Sequence, residues 1–182
     1  MKKYIVISIL GMAAMLLVSC NVKTTEQTTT QTIEERNDSQ GAAFQIFFVR
    51  HAEKSDNDPR DPDLNAAGQA RAQKLKYHLA EAGITKIYST EYKRTQQTVA
   101  PLAKALGIQV ENYATDLRSI TEDLKTATGG NILVVGHSNT TPKLISKLLE
   151  QESYEKLDES VYNKLFVLIK SGDQFRATTL QF

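Results

Sequence analysis

The stretch "FQIFFVRHAEK", residues 44–54, is an apolar run that ends abruptly at an arginine and a histidine. Residues 44–50 carry almost only large apolar side chains, as expected of a strand that is buried on both faces of a sheet. A strand end needs neither a guanidinium nor an imidazole group. The pair Arg50–His51 therefore indicates a chemical role at the end of this strand.

The remainder of the chain alternates between helical and extended patterns. Pro142 is expected in the first turn of a helix, whereas Pro101 is expected to bend or interrupt one. This alternation predicts a three-layer α/β/α domain with a mostly parallel central sheet. The predicted helices are 65–83, 94–107, 116–128 and 141–150, and the predicted strands are 44–50, 86–90, 108–113, 131–136, 164–170 and 174–182, the last two forming a hairpin.

The first twenty residues, "MKKYIVISILGMAAMLLVSC", have the layout of a secretory signal peptide. Two lysines precede an apolar stretch that is too short for a permanent membrane span, and small residues follow. The ending "LVSC" resembles a bacterial lipobox, which implies cleavage after residue 19 and acylation of Cys20, the single cysteine of the chain. The alternative is an ordinary signal peptide with an incidental cysteine.

Residues 20–43 are rich in Thr and Gln and contain few large apolar side chains, so they are predicted to form a flexible tether. The folded domain is expected over 44–182, held outside the cytoplasm at a bacterial cell envelope by a lipid anchor. Loss of Lys2 and Lys3 with the signal leaves 20 basic residues against 21 acidic ones. The absence of a basic run argues against a nucleic acid partner.

Four basic side chains are expected to meet at one edge of the sheet. Arg50 and His51 end the first strand, Arg94 follows the second by a short loop, and His137 follows the fourth. Ligands of such sheets bind beyond the carboxyl ends of the strands. Guanidinium groups match phosphate oxygens, and an unprotonated imidazole among them can attack phosphorus. In "GHSNT" (136–140), the glycine is expected to let the backbone approach a ligand closely.

Three segments carry a resemblance to a known family. "VRHAEK", "YSTEYKRTQQT" and "VVGHSNT" resemble, in order, the signature segments of the histidine phosphatase superfamily, which includes the phosphoglycerate mutases. The resemblance covers nearly all of residues 44–182. It implies that His51 is the phosphorylated nucleophile, that Arg50 and Arg94 clamp the phosphate, and that His137 is the second histidine of the pocket. The segment "DPDLNAAGQARAQKL" (61–75) matches a further family pattern.

Further residues are candidates for the site, and one of them matches a position of the family. Asn57 matches a polar pocket position of some members, Ser138 is a substrate-binding candidate, and Asp116 is the candidate proton donor, with Glu111 the other nearby acid. Ala52 replaces the usual glycine of the first motif, a change that its small size should tolerate. The long insertion of the mutases is absent, so the layout is closer to the small phosphohistidine-phosphatase-like branch.

The prediction is a monomeric phosphatase that hydrolyses a small phosphorylated substrate, a phosphomonoester or phosphoramidate, through a phosphohistidine, without metal or organic cofactor. A mutase and a catalytically inactive phosphate-binding lipoprotein are the alternatives. The acidic loop "DNDPRDPD" (56–63) lacks the glycine and the closing Glu of a calcium-binding loop. His78 lies within a predicted helix and is expected to have no catalytic role.

Overall fold

The computed structural model of this protein describes residues 42–150 and 155–182. The predicted signal peptide, residues 20–41 of the predicted tether and the lipidation candidate Cys20 lie outside the described residues. None of the helices in the described ranges is long and apolar enough to cross a membrane.

The described residues form ten elements in the predicted order of strands and helices. Their ends differ from the predicted ends by a few residues, which is usual for helix and strand boundaries. The elements are β1 Phe44–Arg50, α1 Ala66–Leu79, β2 Ile84–Ser89, α2 Lys93–Leu106, β3 Val110–Asn112, α3 Arg118–Thr126, β4 Asn131–Gly136, α4 Thr140–Leu149, β5 Lys164–Ser171 and β6 Gln174–Gln181.

One sheet contains all six strands in the order β3-β2-β4-β1-β5-β6. The pairs β3–β2, β2–β4 and β4–β1 are parallel, whereas β1–β5 and the hairpin β5–β6 are antiparallel. The predicted mostly parallel sheet and C-terminal hairpin are therefore confirmed. The carboxyl ends of β1, β2 and β4 lie at the same edge, which positions the residues that follow them.

Helices cover both faces of the sheet, and β1 shows how the chain divides between them. Ile46 and Phe48 belong to a core with α3 and α4, whereas Phe47 and Val49 belong to a core with α1 and α2. This alternation follows from the two-residue period of a strand. Since both faces of β1 are buried, the almost wholly apolar run 44–50 is explained, and the predicted three-layer α/β/α architecture is confirmed.

Of the two predicted effects of Pro101, a bend or an interruption, the interruption does not occur, because α2 runs through the proline from Lys93 to Leu106. Proline removes one backbone hydrogen bond and costs about 3 kcal/mol or more in a helix interior. On the same helix Val99 and Leu102 are fully buried against the sheet. Burial of each such side chain contributes about 1.5–3 kcal/mol, which offsets the cost of the proline.

Candidate active site

The register between β1 and β4 brings the two histidines together. Arg50 pairs with Gly136 across these parallel strands, and the backbone N–H of His51 donates to the Gly136 carbonyl at 2.9 Å. His51 directly follows Arg50 at the end of β1, and His137 directly follows Gly136 at the end of β4. Their rings meet edge to face with centroids 5.5 Å apart. The expectation that both imidazoles lie at one sheet edge is confirmed.

Arg94 reaches the same place from the first turn of α2. Its Nη2 lies 3.5 Å from Nδ1 of His137, and its Nη1 lies 3.8 Å from a carboxylate oxygen of Asp61. The guanidinium carbon lies 4.3 Å from the ring centroid of Tyr92. These contacts hold a cation at the helix start, where the helix dipole disfavours positive charge, and direct it toward His137.

A cavity of about 230 Å³ opens beside these three side chains. Three cations, Lys54, Arg60 and Arg94, line it against a single carboxylate, that of Glu159. The balance of charge favours an anionic ligand, and Ser138 and the N-cap residue Asn139, which precede α4, also line the cavity. The lining residues are His51, Lys54, Pro59, Arg60, Pro62, Arg94, His137, Ser138, Asn139 and Glu159.

The surroundings of His51 keep its imidazole neutral. Its Nδ1 lies 2.8 Å from the Ala52 carbonyl oxygen, which can only accept, so Nδ1 carries the proton and Nε2 keeps its lone pair. Burial, followed by the positive charge of Arg50, lowers the pKa of His51 to about 3. The imidazole is therefore unprotonated at neutral pH and has a nitrogen free to attack.

His137 is oriented by a chain of hydroxyl groups. The Thr95 hydroxyl lies 2.8 Å from the Tyr92 carbonyl oxygen and 2.9 Å from the Thr90 hydroxyl, which lies 3.0 Å from Nε2 of His137. If Thr95 donates to the carbonyl, Thr90 donates to Thr95 and accepts the proton of Nε2. The Nδ1 lone pair then faces Arg94. Burial, followed by the charge of Arg94, lowers the pKa of His137 to about 4.

Arg50 does not line the cavity but lies buried behind it. Its Nη1 donates to the carbonyl oxygens of Asp158 at 2.9 Å and of Glu159 and Val161 at 3.1 Å, and its Nη2 lies 2.6 Å from the Glu159 carboxylate. The ring centroid of Tyr162 lies 4.2 Å from the guanidinium carbon. Arg50 thus anchors the 155–163 segment, which precedes β5. Its role as a phosphate clamp stays a prediction.

The other predicted site residues divide into two groups. Ser138 lines the cavity and donates to the Glu159 carboxylate at 3.3 Å. Asn57 does not line it, because its side-chain amide and carbonyl groups bind Asp63 at the base of their own loop. Asp116 does not line it either, since it accepts from the backbone N–H of Arg118 at the exposed start of α3.

Gly136 has a packing role that the sequence did not indicate. A Cβ at this position would lie 2.7 Å from the Thr141 hydroxyl oxygen, 2.8 Å from that of Tyr113 and 3.0 Å from that of Thr140. The glycine is therefore required by hydroxyl groups packed against β4, and its predicted role in the approach of a ligand stays a prediction. Ala52 is accommodated as expected, buried in a small cluster with Leu64 and Ala72.

The sequence patterns did not identify Lys54, Arg60 or Glu159 as cavity residues. Lys54 and Arg60 belong to the charged loop after β1, which folds back so that the Ser55 N–H donates to the Asp63 carbonyl at 2.8 Å. Glu159 is more than a hundred residues from Arg50 along the chain. Their charge is the one signal that these residues carry in the sequence. Charged residues are common in exposed loops, so this signal does not distinguish cavity residues from others.

Residues 46–118 of this chain match the sequence model of the histidine phosphatase superfamily (branch 1). Over 73 residues the chain is 36% identical to a probable phosphoglycerate mutase GpmB from Yersinia enterocolitica and 34% identical to its namesake from Shigella dysenteriae. The matched stretch is 37% of this chain and 34% of each relative. The chain thus spans about a third of the length of these curated relatives.

Solved structures with the same fold cover far more of the chain. The protein histidine phosphatase SixA, in complex with tungstate, superposes with a TM-score of 0.62 at 14% identity over 75% of this chain and 96% of its own. A putative phosphohistidine phosphatase SixA from Agrobacterium tumefaciens gives 0.57 at 19% identity over 76% and 98%. A phosphoglycerate mutase from Plasmodium falciparum gives 0.54 at 19% over 78% and 91%. The chain has the phosphoglycerate mutase-like fold.

Proposed function

We propose that this protein is a phosphatase of the histidine phosphatase superfamily, which hydrolyses phosphomonoesters or phosphoramidates through a phosphohistidine at His51. The observation that carries the proposal is the hydrogen bond from Nδ1 of His51 to the Ala52 carbonyl. It leaves an unprotonated Nε2 beside a cavity lined by three cations. A nucleophilic nitrogen next to a binding place for an anion is the arrangement that phosphoryl transfer to histidine requires.

The first step transfers the phosphoryl group to the enzyme. Nε2 of His51 attacks phosphorus, and the bond to the leaving oxygen or nitrogen breaks, with the electron pair departing on the leaving group. Arg94 and Ser138 bind the phosphoryl oxygens, as their positions around the cavity allow, and His137, whose Nδ1 lone pair faces Arg94, orients that guanidinium group. The fixed cations stabilise the charge that is spread over these oxygens in the transition state.

The second step returns the enzyme to its starting state. A water molecule attacks phosphorus, the P–N bond breaks with its electron pair returning to Nε2, and inorganic phosphate leaves. Nδ1 keeps its proton throughout, donating it in a hydrogen bond to the Ala52 carbonyl oxygen. The imidazole therefore departs from phosphorus as a neutral group. The substrate is a small phosphorylated molecule, and no nucleic acid partner is proposed.

The test is to trap the intermediate. The purified full-length chain is mixed with acetyl phosphate labelled with ³²P, quenched in base, and digested with a protease. We expect an acid-labile, base-stable label on the peptide that contains His51, and loss of both label and turnover in His51→Ala. His78→Ala, whose side chain lies on α1 outside the cavity, is the matched control. Label on another residue, or full hydrolysis by His51→Ala, contradicts the proposal.

The partial match to two probable phosphoglycerate mutases supports a second candidate, a phosphotransferase that moves a phosphate between positions of one metabolite. The two activities differ in where the phosphate goes. With 3-phosphoglycerate as substrate, a mutase yields the 2-phospho isomer and no net inorganic phosphate. The phosphatase proposed above releases inorganic phosphate in proportion to substrate consumed. If isomer without phosphate release is found, the second candidate replaces the first.

We also propose that the mature protein is a monomer attached to the outside of a bacterial cytoplasmic or outer membrane through acylated Cys20. The proposal rests on the order of charged, apolar and small residues in the first twenty positions. Metabolic labelling with palmitate tests it. We expect incorporation into the wild-type chain and none into Cys20→Ser, and equal labelling of both chains would exclude this anchor.

A further inference from the structure

Glu159 is the one carboxylate among the described residues that line the cavity. It belongs to the 155–163 segment between α4 and β5, far from every sequence motif. Its side chain is 64% exposed, so that water reaches it. A carboxylate placed in a cavity for anions opposes ligand binding through its charge. Its presence there therefore needs an explanation other than ligand affinity.

The backbone that carries Glu159 is fixed from below by Arg50. Nη1 of Arg50 donates to the carbonyl oxygens of Asp158, Glu159 and Val161. A further bond joins the Leu157 N–H to the Ser138 carbonyl at 2.9 Å. The segment is thus tied both to the end of β1 and to the turn before α4. His51 directly follows β1, and His137 lies in the turn between β4 and α4. Glu159 therefore has a fixed position relative to both histidines.

The carboxylate itself is held by three donors. Its Oε2 lies 2.6 Å from Arg50 Nη2, and its Oε1 lies 3.0 Å from Lys156 Nζ and 3.3 Å from Ser138 Oγ. A carboxylate offers about four acceptor sites. Three are filled by these donors, which leaves about one for a water molecule on the exposed side. The contacts therefore fix the direction of the remaining acceptor.

Hydrolysis of a phosphohistidine requires a group that accepts a proton from the attacking water. His51 carries the phosphoryl group at that stage. The Nδ1 lone pair of His137 faces Arg94 at 3.5 Å, and its other nitrogen is bound to Thr90. Asp116, the acid predicted from the sequence, does not line the cavity. Among the described residues that line the cavity, Glu159 is the one carboxylate, and its remaining acceptor site can take a proton from water.

We propose that Glu159 orients the water that hydrolyses phospho-His51 and accepts its proton. The proposal rests on the proposed function, because it concerns the second half of that reaction. The oxygen of the water forms a bond to phosphorus, the P–N bond breaks toward Nε2, and one water proton moves to the Glu159 carboxylate. Release of that proton to solvent from an exposed side chain completes the cycle.

The experiment separates the two halves of the reaction. Wild type and Glu159→Gln are mixed with p-nitrophenyl phosphate in a stopped-flow instrument, and the phospho-enzyme is quantified in parallel by base quench. We expect Glu159→Gln to keep a burst of p-nitrophenol close to one per active site, while the steady-state rate falls roughly 10²-fold or more, as is typical for loss of a general base. Phospho-His51 then accumulates. Glu155→Gln, on the same exposed segment, is the matched control.

Other outcomes overturn the inference in distinguishable ways. If Glu159→Gln slows the burst and the steady state equally, the side chain acts by positioning Arg50 and Ser138. If it raises kcat/KM, the carboxylate serves to repel anions. Addition of formate to Glu159→Ala provides a second readout, because a small carboxylate restores a lost base but not a lost anchor for the segment. A wild-type enzyme that shows turnover without phospho-His51 contradicts the proposed function itself.

Discussion

The rings of His51 and His137 meet edge to face at the ends of neighbouring parallel strands, with their centroids 5.5 Å apart. Both rings are buried, and both lie near the guanidinium group of Arg94. A proton on either ring would place a new positive charge beside existing ones in a region of low dielectric constant. The folded protein therefore keeps both imidazoles neutral, as the proposed role of His51 as a nucleophile requires.

The same pair should make stability depend on pH. The pKa values of His51 and His137 are lowered to about 3 and about 4, whereas an unfolded chain binds these protons near pH 6.5. Between these values the unfolded state binds more protons, so the free energy of unfolding decreases as the pH falls. At pH 5 each histidine should account for a loss of at most about 2 kcal/mol relative to pH 7.

Urea unfolding at pH 7 and pH 5 checks this expectation. His51→Ala should lose less stability than wild type between the two pH values, even if it is less stable at both. His78→Ala changes an exposed residue of α1. This variant should show the same loss of stability between pH 7 and pH 5 as the wild type. A wild-type difference that His51→Ala leaves unchanged would mean that other groups set the acid sensitivity.

The fold could be predicted from the sequence because its signals are local. A strand that is buried on both faces must be apolar throughout, and residues 44–50 and 131–136 show this directly. The helix that contains Pro101 is predicted at 94–107 and is found at Lys93–Leu106, but it is not interrupted at the proline, because Val99 and Leu102 pack against a sheet assembled from distant segments. Local propensity alone therefore does not determine whether a proline interrupts a helix that is stabilised by tertiary burial.

The site was predicted in part for the same reason. His51, Arg94 and His137 follow strand ends, and the order of strands in a parallel sheet determines where those ends meet. Arg50 was placed in the cavity by its position next to His51, but its side chain is taken up by carbonyl groups of the 155–163 segment. No local pattern indicates which way an irregular segment runs, so neither this contact nor Glu159 was predictable.

Arg94 should be the principal cation for the ligand, because it lines the cavity and reaches His137. We expect Arg94→Gln to lower kcat/KM for p-nitrophenyl phosphate by roughly 10²–10³-fold, the usual effect of removing one donor to the transition state. Arg94→Lys should retain part of the activity, since it keeps the charge but loses the planar pair of donors. Arg118→Gln, at an exposed position on α3, is the control, and equal effects of both variants would contradict this role.

Thr90 should hold His137 in one tautomer. Thr90→Val has a similar shape but leaves Nε2 of His137 without its partner at 3.0 Å. An unsatisfied buried donor costs about 1–3 kcal/mol, and we expect that loss in the free energy of unfolding. We also expect a lower kcat with a smaller change in KM. Thr90→Ser keeps the hydroxyl group and should restore both, whereas a defect of equal size in Thr90→Ser would show that the methyl group matters instead.

Arg50 should be required to order the 155–163 segment. Arg50→Lys keeps a positive charge but cannot donate simultaneously to the carbonyl groups of Asp158, Glu159 and Val161. We expect faster proteolytic cleavage and faster amide exchange within the segment, with little change in α1 or α2. Lys164→Arg, at the start of β5, is a control for the substitution chemistry. Unchanged exchange in Arg50→Lys would show that the segment is held by its other contacts, such as the bond from the Leu157 N–H to the Ser138 carbonyl.

Gly68 should be irreplaceable for packing α1 against the loop after β1. A Cβ at this position would lie 2.1 Å from the backbone oxygen of Glu53, and that oxygen also accepts from the Asn65 N–H at 3.0 Å. Neither partner is a flexible side chain, so the loop or the helix must move. We expect Gly68→Ala to reduce the free energy of unfolding by about 1–3 kcal/mol or more, the range for overpacked sites. Gly129→Ala is the matched control, because nothing lies within 4 Å of its Cβ position.

Gly68→Ala should also impair phosphatase activity in the fraction that folds, because Glu53 is two residues from His51. Full activity in that fraction would show that the start of α1 and His51 are structurally independent.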